Sequence, residues 1–244
     1  YIKIKTNPNI MKKLLFLFLL SVVLFSCKKD QPDVIVPPDN AVVNTQAGLG
    51  SVPGRPTGIF FSLPENIQVV GDIRGGIMGK EMYQDKTFKG PFVFDYKANW
   101  ISYGTGTYVN LYLTLFNSSF TSTLVNFPGG LIFVDSLDVN THLGQYQKGL
   151  ILQNVNVIVD AQDSAFVHLR AYCLNAHLMP STYDAIYYFG PITNNAQLNT
   201  VIGIMSTKQQ PMGEEYNIQT IVWNVTDNGL TLTSAELSYL NGLP

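Results

Sequence analysis

The chain has 244 residues, of which 46% are hydrophobic, 12% aromatic and 13% charged. This composition excludes a disordered chain, a coiled coil and a collagen, and two cysteines are too few for a disulfide-stapled miniprotein. Lys+Arg 15 against Asp+Glu 17 leaves no basic excess, which argues against nucleic acid as a partner.

Met11-Lys12-Lys13 opens a short basic segment, and Leu14 to Phe25 is apolar except for Ser21. As a helix this run reaches roughly 18 Å at 1.5 Å per residue, short of a bilayer core of about 30 Å. A basic segment followed by a short apolar one reads as a secretory signal. The residues before Met11 are expected to be upstream sequence read in frame, or part of a fragment. The apolar run ends in Leu24-Phe25-Ser26-Cys27, which resembles the lipobox of bacterial lipoproteins. That resemblance implies cleavage before Cys27, diacylation of its sulfur and acylation of the new amine. The membrane is then a partner through the N-terminal lipid, since two or three acyl chains anchor stably where one does not. Lys28-Lys29-Asp30 is similar to the charged stretch of Bacteroidetes lipoproteins, which implies the outer membrane, at its periplasmic face or the cell surface. Loss of residues 1–26 removes Lys3, Lys5, Lys12 and Lys13 and no acidic residue, leaving 15 − 4 = 11 basic against 17 acidic side chains, or −6. Such a surface offers no basic patch for phosphate or anionic lipid.

Gln31 to about Pro56 is rich in Pro, Asp, Asn and Gly, with Pro32, Pro37, Pro38, Pro53 and Pro56 blocking regular pairing. Residues 27–56 are therefore expected to form a lipidated tether. From Thr57, short apolar or alternating runs are cut by turn residues. Strands are expected at Gly58–Leu63, Ile67–Ile73, Pro91–Tyr96, Tyr108–Phe116, Leu131–Val134, Leu150–Val159 and Ala165–Cys173, with an irregular excursion from Gly75 to Lys89. Val109, Leu111, Leu113 and Leu115 share one face of the clearest of these. Strands without intervening helices predict an antiparallel Ig-like β-sandwich over 57–172. Residues 173–244 are expected to be helical. Leu198, Val201, Ile202 and Met205 lie on one helical face, and Ile218, Ile221, Val222 and Val225 on another. Thr233-Ser234-Ala235-Glu236 is a capping box before Leu237 and Leu240. The fold class is α+β, mainly β, with a small C-terminal helical part.

With Cys27 lipidated, Cys173 has no partner for a disulfide within the chain. It is either buried and inert or chemically occupied, since an exposed thiol in an oxidising compartment is at risk. Tyr172-Cys173 ends a strand, Ile218-Gln219-Thr220-Ile221-Val222-Trp223 lies on a helix, and Leu230 to Leu237 follows. This set resembles bacterial surface thioester domains, which carry an aromatic-Cys motif and an apolar-Gln-x-x-apolar-Trp motif. The resemblance covers roughly Phe166 to Leu243. It implies a thioester between the Cys173 sulfur and the Gln219 side-chain carbonyl, with Trp223 one turn later, and covalent capture of a nucleophile on a surface ligand. His177 is a candidate to handle the proton, or a plain turn residue before Pro180. Gln219 as an ordinary helix residue and Trp223 as core filler are the plainer readings.

His168, Cys173 and His177 match no zinc spacing, and no oriented base or oxyanion hole stands out for a Cys nucleophile. The acidic residues scatter through turns such as Asp160, Asp163 and Asp227 and show no glycosidase pair. Gly71 to Gly76 opens no helix, so it is not a nucleotide loop. Tyr96, Trp100, Tyr103 and Tyr108 would serve either as a glycan platform or as core packing. No cofactor and no metal is implied. The function expected is surface attachment or binding of a protein or glycan ligand by a non-enzymatic lipoprotein. The alternatives are a structural or glycan-binding lipoprotein with an inert Cys173, and a Cys-dependent hydrolase or transpeptidase.

Overall fold

A computed structural model describes residues 46–76, 100–137, 144–209 and 213–244. The leader, Cys27, the expected strand Pro91–Tyr96 and most of the Gly75–Lys89 excursion lie outside the described residues.

The described part is mainly β, with three helices at its C-terminal end. Its strands are β1 Gly58–Ile59, β2 Ile67–Gly76, β3 Ile101–Tyr103, β4 Val109–Asn117, β5 Thr123–Phe127, β6 Leu131–Asp135, β7 Gly149–Leu150, β8 Val155–Val159, β9 Ser164–Cys173 and β10 Ile186–Thr193. The helices are α1 Ala196–Met205, α2 Glu215–Thr226 and α3 Ser234–Gly242.

The expected sandwich is corrected by the pairing. Hydrogen bonds run β10–β2–β4–β9–β7–β6, and β6 pairs back onto β10, closing a six-stranded antiparallel barrel. β1 adds to β10, β3 runs parallel to β9, and β5 with β8 forms a separate ribbon. Closure removes the open edges that a sandwich leaves at each sheet.

Period-2 patterning decides what fills the barrel. Val109, Leu111, Leu113 and Leu115 of β4 and Val167, Leu169, Ala171 and Cys173 of β9 are all buried in one cluster with Phe127, Leu131 and Phe133. The outward residues of β6, β7 and β9 are apolar too, because helices cover that side. Ile132, Val134, Leu150, Tyr172 and Leu174 join Leu198, Val201, Met205, Ile218, Val222 and Leu240 in a second cluster.

Three expectations shift. The run Leu150–Val159 is broken into β7 and β8. Between them Asn154 Oδ1 accepts from the Gly129 N–H at 2.8 Å, fixing a turn. β10 lies inside the stretch expected to be helical, so residues 173–244 supply a barrel strand before the helices. Its register shifts between Phe189 and Ile192, around Gly190-Pro191, which hides the alternation. The end of the expected tether is folded in. Leu49 is buried with the helices, Gly50 N–H donates to Leu174 O at 3.0 Å, and Asn175 Nδ2 donates to Gly50 O at 2.6 Å.

The three helices carry the expected apolar faces. Asn195 Oδ1 accepts from the Gln197 and Leu198 N–H groups at the head of α1, and the Thr233–Glu236 capping box opens α3.

Gly50 has φ +53°, and a Cβ there would stand 2.0 Å from Thr226 O. Gly50→Ala should cost more than the roughly 1–2 kcal/mol of a left-handed residue alone. Gly203→Ala in α1, where a Cβ meets nothing within 4 Å, should be neutral or stabilising by up to about 1 kcal/mol. Denaturant midpoints of the two variants check the contrast.

Candidate functional site at the end of strand β9

β9 outlasts its neighbour. The β4–β9 ladder begins at Val109↔Ala171, so among the described residues no strand pairs with the β4 side of β9 beyond Ala171. On the other side β7 still pairs, with Gly149 opposite Cys173. The Cys173 N–H and C=O would be orphaned in a dry core, a cost of about 1–3 kcal/mol each. Gln219 of α2 fills the gap. Its Oε1 accepts from the Cys173 N–H at 2.8 Å, and its Nε2 donates to Cys173 O at 2.7 Å. The carboxamide thus continues the ladder as one strand residue would. Both residues are fully buried.

The Cys173 side chain points into the barrel cluster. Its Sγ accepts from the Asn175 N–H at 3.3 Å. Trp223 Nε1 is buried with no hydrogen-bond partner among the described residues, and Trp223 is close enough to lower the pKa of the thiol. The Trp223 ring packs on the barrel cluster and meets Tyr108 edge-on, centroids 5.0 Å apart. Burial pushes the Cys173 thiol up to about 11. The Trp223 and Asn175 contacts pull the other way, Asp227 raises it further, and Lys148 lowers it.

Gln219, Trp223 and Asp227 are spaced i, i+4, i+8, so α2 and its C-cap present one stripe to the end of β9. Asp227 Oδ1 accepts from the Ala176 N–H at 2.9 Å, and His177 Nδ1 stands 3.6 Å from the same oxygen. Burial raises the Asp227 pKa, against hydrogen bonds from Thr226, Ala176 and His177. Nearby, Arg170 of β9 faces Glu215 of α2 at 3.6 Å.

Every residue of the expected pair and its support therefore meets at one place: Cys173, Gln219, Trp223 and, one step outward, His177. Asp227 was missed as part of this site. Its four-residue spacing from Trp223 was the available signal.

The other candidates resolve elsewhere. His168 stacks on Tyr112 at 4.4 Å, facing away from the Cys173 side of β9. Asn110 Nδ2 donates to Thr107 O, so its Oδ1 faces His168 Nε2 at 2.9 Å. That places the imidazole proton on Nε2 and leaves Nδ1 to accept from Ser102 Oγ at 2.6 Å. Burial, with Arg170 second, lowers His168 to about 4, too weak a base to activate Ser102 near neutral pH. The pair is a cross-strand tie between β3 and β9. Of the aromatic run, Trp100 meets Tyr112 and Phe166 edge-on, and Tyr103 and Tyr108 pack on the barrel cluster, as the core-packing alternative expects. Tyr96 lies outside the described residues.

No family model, curated protein or solved structure matches the chain.

Gln219→Ala should destabilise the fold by about 2–4 kcal/mol, since it strands two buried backbone groups and opens a small cavity. Urea unfolding checks this. His168 has a folded pKa below its ordinary 6.5. Its contribution to stability is whole above about pH 6.5 and is lost as pH falls through about 4. His168→Gln should flatten that part of a melting-temperature profile.

Proposed function

We propose that the chain is a lipid-anchored envelope protein that attaches covalently to a surface ligand through a Cys173–Gln219 thioester. The observation that supports this reading is the Cys173 N–H donating to Gln219 Oε1 at 2.8 Å. It sets the acyl carbon beside the cysteine and polarises its carbonyl in the direction that thiol attack requires.

The Cys173 sulfur bonds to the Gln219 Cδ, the Cδ–Nε2 bond breaks, and the thiol proton leaves with the nitrogen as ammonia. A primary amine of the ligand then attacks Cδ, an amide forms, and the thiol is restored with a proton from the amine. A thiol at about 11 is ionised to about one part in ten thousand at pH 7, which would cripple a hydrolase. An intramolecular partner offsets that fraction, because effective molarities reach about 10⁵–10⁸ M. Full burial also keeps water from the acyl carbon.

A second reading has its own observation. Gln219 Nε2 donates to Cys173 O at 2.7 Å, a bond the thioester gives up. On that reading Gln219 is a purely structural plug, and the protein is a structural or glycan-binding lipoprotein.

Intact mass of the full chain carrying Cys27→Ser separates the two. The thioester predicts a deficit of one ammonia, lost in Cys173→Ala and converted by methylamine into a methylamide. An unmodified mass with one titratable buried thiol sinks it. The anchor is tested separately: Cys27→Ser should move the chain from the membrane fraction to the soluble fraction.

A further inference from the structure

Two acceptors hang on consecutive backbone amides just past β9. Asn175 N–H donates to Cys173 Sγ at 3.3 Å, and Ala176 N–H donates to Asp227 Oδ1 at 2.9 Å. Neighbouring residues are one Cα–Cα step of about 3.8 Å apart, so the sulfur and the carboxylate are held over the same short piece of chain. His177 Nδ1 then stands 3.6 Å from Asp227 Oδ1. Exposure rises along this line: Cys173 is fully buried, the Asp227 side chain is 16% exposed and the His177 side chain 47% exposed. A thiol that is sealed from water is thus followed by a half-buried carboxylate and an imidazole open to solvent.

We propose that Asp227 takes and returns the Cys173 proton, and that His177 exchanges it between Asp227 and water. The inference rests on the thioester reading for its use, but the route itself requires only a free thiol. In thioester formation the Asp227 carboxylate accepts the S–H proton as sulfur attacks Cδ. The resulting Asp227 carboxylic acid gives the proton to Nε2 as the C–N bond breaks, and the carboxylate is restored. In capture the amine proton passes to Asp227 and on to the departing thiolate.

Burial raises the Asp227 pKa from its ordinary value, the direction that suits a group that must both accept and donate. The other ionisable groups that act on Cys173 and its surroundings are Lys148, Tyr108 and Tyr187. Burial raises both tyrosines, which keeps them protonated and poor acceptors near neutral pH. Lys148 as an ammonium has no lone pair to receive a proton.

The test uses the full chain with Cys27→Ser, made in a cell-free pulse, with ammonia loss followed by intact mass. Asp227→Asn keeps an oxygen for the Ala176 N–H but cannot carry a proton. It should slow the loss by roughly 100-fold or more, with Asp227→Glu recovering part of the rate. His177→Ala, on an exposed side chain, should slow it and be rescued by added imidazole. Wild-type rates in Asp227→Asn, or no rescue of a slowed His177→Ala, overturn the route. If the parent chain loses no ammonia at all, the thioester reading has failed and the route is read on the free thiol. Raman spectra in D₂O then follow S–H to S–D exchange, which Asp227→Asn should slow; an unchanged exchange rate overturns the route by itself.

Discussion

The described fold turns on a mismatch of strand lengths. β9 runs two residues past the point where β4 pairs with it, and a backbone left unpaired at that depth is costly. One carboxamide meets both demands, accepting from the Cys173 N–H and donating to its carbonyl. To reach there, Gln219 must sit on a helix laid against the end of β9. That requirement fixes how α2 lies on the barrel: Ile218, Ile221, Val222 and Val225 on the helical cluster, Trp223 on the barrel cluster. The segment around Gly50, bonded to Leu174 and Asn175, holds the same turn from its other side.

This arrangement gives chemistry and stability one geometry. The hydrogen bond that satisfies the buried Cys173 amide is also the one that, in the proposed thioester chemistry, polarises the Gln219 carbonyl. The burial that pushes the thiol up to about 11 would also shield the proposed acyl–sulfur bond from water. Such a site costs the fold little, because Gln219 already satisfies the overhanging backbone at the end of β9.

Much of this was legible in residue patterns, for identifiable reasons. β4 and β9 announce themselves by strict alternation, α1, α2 and α3 by apolar spacing, and α3 also by the Thr233 capping box. The Cys173–Gln219 meeting was reached through motif resemblance, not through periodicity. Closure of the sheet was not legible, because it depends on β10 pairing with both β2 and β6, and Gly190-Pro191 breaks the pattern of that strand. The folded end of the tether was missed because Leu49 is a lone apolar residue among glycines and prolines. Asp227 was read as a turn acid, since nothing local tells a C-cap carboxylate that it accepts from the Ala176 N–H just past β9.

The proposed thioester makes the Gln219 carbonyl carbon part of a covalent junction with Cys173. Carbon-13 NMR of the chain labelled at glutamine Cδ, assigned by Gln219→Ala, reads that atom directly. The account predicts a signal far downfield of the carboxamides, in the thioester range, moving into the amide range on addition of methylamine. A Gln219 signal among the ordinary carboxamides, unmoved by methylamine and coupled to a slowly exchanging side-chain NH₂, would contradict it.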